Sequence, residues 1–304
     1  MTDTVAQEVR GEGPGRAPQG ALLVGTCAWA DHAPFYPPGV KPTDRLRYYA
    51  QFFPLVEVDS TYYALQPANR FAAWAQATPE HFRFNVKAYR ALTRHDRTPR
   101  PGEEDLGWVA QRFTGALEPM RAEGKLTAVH LQFPPWFVQN ADNEAYLAWI
   151  REFFAQDIVA VEFRHQSWWT EERREETLGL LRVLEAANVV ADEPQVGSGS
   201  IPLVPEVTHP GLSVLRFHGR NKETWYIKAK DSGERFRYLY SRDELAQFVP
   251  IVHRHQGEAR QVHLLLNNNY ENYAVINGFD LMELFGQPVE RPPLLSLFEG
   301  RRRG

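Results

Sequence analysis

The sequence predicts an α/β fold, a (β/α)8 TIM-type barrel of eight parallel strands, irregular around strands six to seven. Three observations lead there. Eight short apolar runs recur along the chain, longer amphipathic segments separate most of them, and polar residues collect at the ends of nearly all the runs. Strands alternating with helices build a parallel sheet, and eight strands close into a barrel. An open doubly wound sheet would give the same alternation, but no glycine-rich fingerprint follows the first run.

Taken in order, ALLVGTC (21–27) is the first strand, with a helix expected at 43–53. LVEVDS (55–60) and FRFNVKA (82–88) follow, with helices at 69–77 and 106–122. LTAVHLQF (126–133) leads to a helix at 142–155, and IVAVEFR (158–164) to one at 172–187. After NVVAD (188–192), the stretch EPQVGSGSIPLVPEVTHPG (193–211) has too much glycine and proline for a helix. LSVLRFHG (212–219) is strand seven. Ser241 and Glu244 then form a capping-box pattern at the start of a helix over 241–256. VHLLLNN (262–268) and a helix at 271–285 complete the series. Residues 1–20 read as a disordered leader and 21–285 as one barrel domain. Residues 286–304 read as a tail in which Leu294, Leu295, Leu297 and Phe298 can dock before the basic RRRG tip.

Composition narrows the function classes. A net charge of −4 and a pI near 6.2 give no general attraction for nucleic acid or an anionic membrane, leaving only a local basic groove for either. A single cysteine excludes an internal disulfide and a Cys-rich zinc site, and fits a reducing cytoplasm. No apolar run is long enough to span a bilayer, and the N-terminus lacks a signal-peptide core. A cytoplasmic protein without a membrane partner is the expectation; oligomeric state is not readable.

Barrel enzymes place their sites at the C-terminal strand ends. Reading those ends gives Thr26, then Glu57 with Asp59, Asn85 with Lys87, His130 with Gln132, and Glu162 with Arg164. Asp192, Arg216 with His218, and Asn267 to Asn269 follow. Paired members are two apart and so share a face. The stretch AVEFRHQSWW (160–169) shows the point: Glu162 and Arg164 share a face just where an otherwise apolar strand ends.

Three kinds of chemistry are offered. Arg216, His218, Arg220 and Lys222 after strand seven, and Lys87, Arg90, Arg94, His95 and Arg97 after strand three, suit an anion; arginine grips phosphate or carboxylate bidentately. Aromatics such as Tyr62, Trp136, Trp168 and Trp225 fall in the same loops and offer stacking faces. Glu57 and Glu162 supply acid-base capacity: a base beside Lys87 or Arg164, an acid in an apolar pocket. His218 is the leading proton shuttle and His165 the second. The catalytic candidates are thus Glu57, Glu162 and His218. The substrate-binding candidates are Asp59, Lys87, Gln132, Arg164, His165, Trp168, Arg216, Arg220, Asn267 and Asn268. No cofactor is firmly implied. Glu57, Asp59, Glu162, Asp192, His165 and His218 could hold one divalent ion at most, and Arg164, Arg216 and Lys87 would repel it. Cys27 reads as structural.

The motifs GTCAW (25–29), FYPPG (35–39), EVDSTYY (57–63), FRFNVKA (82–88), QFPP (132–135), VEFRHQSW (161–168), RFHG (216–219) and LNNN (266–269) resemble the YecE-like family, domain of unknown function 72. The resemblance spans about 21–285 and implies a TIM-type barrel distantly similar to the endonuclease IV and xylose isomerase-like group, without an established activity. Cys27 stands where that pattern usually has serine, and Asn269 where it usually has aspartate, which removes a carboxylate from any metal site. Three functions follow as expectations. The first is an enzyme acting on a small phosphorylated or carboxylated molecule. The second is nucleic-acid processing or binding, and the third a non-catalytic anion sensor.

Overall fold

Successive strand side chains point to opposite faces, so each apolar run sends one set of residues into the barrel and the other outward to the helices. In the computed structural model, which describes residues 19–227 and 232–292, the strands are β1 (Ala21–Cys27), β2 (Leu55–Val58), β3 (Arg83–Lys87), β4 (Leu126–Gln132), β5 (Ile158–Glu162), β6 (Ala186–Asp192), β7 (Ser213–Phe217) and β8 (Gln261–Leu266). Each pairs in parallel with the next, and β8 closes on β1. The interior is narrow, and small or medium residues fill it: Cys27, Leu55, Ala128, Ala160, Ala187, Val189, Val214 and Leu265. The outward set, including Val24, Val56, Val129 and Val161, meets the helices in a larger core rich in aromatics, among them Phe35, Tyr49, Phe53 and Phe279.

Gly25 is set by close approach rather than by a turn. A Cβ there would lie 2.1 Å from the Leu55 carbonyl oxygen of the paired strand. Gly25→Ala is therefore expected to cost about 1–3 kcal/mol or more through strand displacement, read as a lower urea midpoint.

The helices are α1 (Arg45–Tyr49), α2 (Ala68–Gln76), α3 (Leu106–Ala116), α4 (Glu118–Ala122), α5 (Ala141–Glu152), α6 (Arg174–Val183), α7 (Ser232–Arg235), α8 (Arg242–Ala246), α9 (Val249–Glu258) and α10 (Tyr273–Leu284). Proline explains two departures from the expected spans. Pro119 opens α4 and Pro250 opens α9, each splitting one expected helix into two. The helix expected at 172–187 stops at Val183, and its last two positions, Ala186 and Ala187, belong to β6. Glu185, at φ 48°, makes that exchange in a single residue. The expected capping box is present: Ser241 accepts from the Glu244 N–H, and the Glu244 carboxylate accepts from the Ser241 N–H.

The stretch between β6 and β7 forms no helix, as its composition requires. Asn188 and Thr208 hold it instead, Asn188 Nδ2 donating to the Val204 carbonyl and Thr208 Oγ1 to that of Ala186. After α10, Gln287 donates to the Leu22 carbonyl, Val289 packs on the core, and Arg291 pairs with Asp280 and Glu283, so residues 286–292 are docked on the barrel. Residues 1–18 of the expected leader, and Leu294, Leu295, Leu297, Phe298 and the basic tip, lie outside the described residues. Among the described residues, no helix is long and apolar enough to cross a membrane.

Candidate functional site

The uppermost inward layer of the barrel is charged, not apolar. Register places Glu57 beside Cys27 and Glu162 beside Gln132, and β4 and β7 add His130 and Arg216. Arg216 lies between the two carboxylates, Nη2 2.6 Å from Glu57 Oε1 and Nη1 2.6 Å from Glu162 Oε2. His130 bridges the same pair, 2.9 Å from Glu57 and 3.3 Å from Glu162. All four side chains are sealed from solvent.

Such a layer is stable only when its charges are paired. Burial alone would raise the Glu57 carboxyl, but Arg216 and His130 outweigh it and hold the group well below the usual carboxylate range. Glu162 is likewise depressed against its burial, by Arg216 first and then by His218 and His130. Burial works against a charged His130, yet the charge of Glu57 prevails and its pKa is raised. Burial pushes the Cys27 thiol well up, against the pull of Arg216 at 3.3 Å, so the thiol stays protonated. In this layer Glu57, Glu162, His130 and Arg216 are all held by ion pairs with one another, while the buried Arg216 Nε has no hydrogen-bond partner among the described residues.

Directly above it, at the C-terminal mouth, opens a cavity of about 560 Å³, within the usual range for small-molecule sites. Of the residues expected at the site, Asp59, Lys87, Gln132, Arg164, His218 and Asn267 line it. Lys87 Nζ stands 3.7 Å from Asp59 Oδ1, with the Asp59 side chain 23% exposed. Burial pushes the Asp59 carboxyl up to about 6 against the pull of Lys87, and the nearby Glu57 charge adds to the rise. Arg164 spans the boundary between the two layers, 2.9 Å from Glu162 and 3.1 Å from Glu193. Burial carries Glu193 up to about 7 despite Arg164.

His218 is enclosed at the cavity floor, and burial drives it down to about 3, so its ring is neutral near pH 7. Asn267 donates its amide N–H to Nδ1 at 2.8 Å. The ring's Nε2 lies between Glu162 at 3.2 Å and Arg164 Nη1 at 3.1 Å.

The placements correct the sequence reading. Glu57, Glu162 and Arg216 lie beneath the cavity, locked to each other, rather than exchanging protons or gripping a ligand in it. His165 caps the turn that follows it, its ring nitrogen accepting from the Ser167 N–H. Trp168 is buried against Phe163, ring centroids 4.0 Å apart, and donates to the Phe137 carbonyl. Arg220 holds Asp192 through two nitrogens and lies over the Tyr240 ring. Asn268 fastens Tyr238 to Asn277. These four build the loops instead of lining the cavity. In the arginine-rich loop after β3, Arg90 pairs with Asp96 and Arg94 lies over Tyr146; of that loop's expected group only Lys87 and His95 line the cavity.

Several participants escaped the sequence reading. Glu193 sits one residue beyond the Asp192 strand end, outside the strand-end pattern. His130 was visible at its strand end, but its role as a bridge between two carboxylates was not. Arg235 comes from a connection without periodicity and gave no signal. A metal does not fit the donor set. Among the described residues no three His, Cys, Asp or Glu side chains converge as ligands, and the oxygens of Glu57 and Glu162 face Arg216, His130 and Arg164.

A closed eight-stranded parallel barrel with a charged cavity at the C-terminal ends of its strands defines a TIM-type barrel protein. The chain belongs to the family described as "Protein of unknown function DUF72", whose model matches residues 23–297. It is 36% identical over 270 residues to the UPF0759 protein YunF of Bacillus subtilis (strain 168), covering 86% of this chain and 94% of that relative. A solved DUF72 family structure from Enterococcus faecalis V583 superposes with a TM-score of 0.79 at 29% identity, covering 90% of this chain and 98% of that one. Another, from Thermotoga maritima MSB8, gives a TM-score of 0.76 at 31% identity, covering 88% and 100%. None of these names carries an activity.

Proposed function

We propose that the chain is an enzyme that binds a small phosphorylated or carboxylated molecule in the mouth cavity and exchanges a proton with it at Asp59. The observation that carries this reading is a carboxyl raised to about 6 that faces the cavity beside Lys87. A group with that pKa is mostly ionised at neutral pH, yet takes up and returns a proton readily. Arg164 and Lys87 supply the positive charge for an anionic substrate, while Gln132 and Asn267 offer neutral hydrogen bonds. The neutral His218 contributes a donor or acceptor and no charge. The network beneath keeps Arg164 in place by tying it to Glu162.

The test is a panel of phosphorylated and carboxylated metabolites, incubated with the protein and followed by mass spectrometry. The wild type is expected to consume a member of the panel, and Asp59→Asn to bind the same compound without consuming it. A compound that binds in the cavity but that the wild type never converts would overturn the enzyme reading in favour of an anion sensor.

Once turnover is in hand, pH adds a second check. With Asp59 as base, kcat/KM rises with pH through an apparent pKa near 6. Lys87 holds that value down, so Lys87→Met is expected to move the limb upward by on the order of one unit. An unmoved limb would place the titrating group elsewhere.

A second reading, binding or processing of nucleic acid, draws on Arg97 lying 5.1 Å over Trp136, whose indole edges the cavity and is 46% exposed. It predicts salt-dependent binding to DNA carrying an abasic site. Affinity indifferent to salt, or no binding, would sink it.

A further inference from the structure

Arg235, at the end of α7, reaches the cavity wall next to Arg164. Its guanidinium carbon lies 4.8 Å from the Trp225 ring centroid, and that of Arg164 lies 5.0 Å from the same ring. One buried indole thus supports both cations.

The two arginines are not balanced alike. Arg164 has Glu162 and Glu193 as partners. Among the described residues no carboxylate pairs with Arg235, and its buried Nε has no hydrogen-bond partner. Burial lowers the Arg235 pKa, the neighbouring Arg164 lowers it further, and Glu193 offsets only part of this. Glu193, raised to about 7, supplies only a fraction of a negative charge near neutrality. This wall is short of negative charge, and a half-buried cation without a partner is costly unless a ligand completes it.

Resting on the reading that the cavity takes a small anion, we infer that Arg164 and Arg235 form a two-guanidinium clamp for a phosphoryl dianion, with Arg235 selecting phosphate esters over carboxylates. The chemistry matches in number and shape. A phosphoryl group presents three acceptor oxygens and nearly two charges near pH 7, enough for two guanidiniums at once. A carboxylate presents two oxygens and one charge, which a single guanidinium fork satisfies. Among the described residues no hydrogen bond engages the Arg235 fork. Arg164 Nη1 already meets Glu162 and His218, while its Nη2 keeps a second N–H beyond the one on Glu193.

The experiment is calorimetric titration of the full chain at constant ionic strength and about pH 8, where phosphate is a dianion, with inorganic phosphate, sulfate and acetate as probes. The proteins compared are the wild type, Arg235→Gln, Arg235→Lys and Arg164→Gln. Phosphate and sulfate are expected to bind the wild type at least tenfold more tightly than acetate, about one charge-assisted hydrogen bond's worth. Arg235→Gln is expected to weaken phosphate by roughly 10- to 100-fold while changing acetate little. Arg235→Lys, which keeps the charge but loses the fork, loses part of the preference, and it carries the test if the glutamine variant does not fold. Acetate binding as tightly as phosphate, with Arg235→Gln unchanged and Arg164→Gln inactive, would overturn the clamp and leave the anion cavity standing. No binding of any probe to the wild type would remove both the clamp and the anionic-substrate reading beneath it.

Discussion

Replacing Arg216 by methionine is expected to destabilise the protein by about 3–5 kcal/mol, the usual cost of stranding buried charges by removing their partner. Arg216 stands 2.6 Å from both Glu57 and Glu162, and all three side chains are sealed from water. Methionine fills similar volume but leaves Glu57 with His130 as its ion-pair partner among the described residues, and Glu162 with His130, His218 and Arg164. The pH dependence gives the sign. In the wild type both carboxyls are depressed, so their contribution is present above the ordinary glutamate range, about pH 4, and is lost as pH falls through the folded values. In Arg216→Met the main partner opposing burial is lost, so both values are expected to rise, Glu57 more than Glu162 because Arg164 still holds Glu162. The penalty is then largest at about pH 8 and shrinks toward pH 4 as both groups take up protons. Urea unfolding across that range measures it. The triple variant with Glu57→Gln and Glu162→Gln is expected to recover much of the loss, since it removes the charges that Arg216 neutralises. A variant as stable as the wild type at every pH would show that the layer is wetter or looser than its geometry.

Asp59→Asn carries the second large effect, with the opposite signature. Turnover of the substrate is expected to fall roughly 10²- to 10⁴-fold, the range for losing a positioned acid-base group. Stability is expected to change by less than about 1 kcal/mol, because the partly exposed Asp59–Lys87 pair is loose at 3.7 Å. Arg216 therefore tests the support and Asp59 the chemistry. A variant pair with these effects exchanged would reverse the assignment of the two layers.

How much of this was legible in the sequence follows from what sequence pattern can encode. Period-two alternation at eight places, with polar residues closing the runs, specified the barrel and gathered its polar residues at one end. Ser241 and Glu244 marked a helix start because the capping interaction is local. Pro119 and Pro250 broke two expected helices, and were visible, but amphipathic periodicity on both sides outweighed them in the reading. The strand-end pairs correctly brought Glu57, Glu162, Arg216 and His218 together, yet depth along the barrel axis is not in the pattern. Glu57 and Asp59 share a face and are two residues apart, and that one step separates the sealed network from the cavity. Arg164 and Arg216 differ in the same way. Trp168 and Arg220 looked like ligand contacts because stacking rings and paired arginines also build loops, and only Phe163 and Asp192 show which use applies. Arg235 lies in a connection of no regular period, so only the folded chain brings it to Arg164.

The division between a sealed support and a working cavity is tested most directly by carboxyl-carbon NMR of the aspartate and glutamate side chains, titrated from about pH 3 to 9 and assigned with Asp59→Asn, Glu57→Gln and Glu162→Gln. Asp59 is expected to titrate near 6, while Glu57 and Glu162 stay ionised down to the acid limit. Glu57 or Glu162 titrating near neutrality, with Asp59 ionised throughout, would contradict it and return the chemistry to the floor of the barrel.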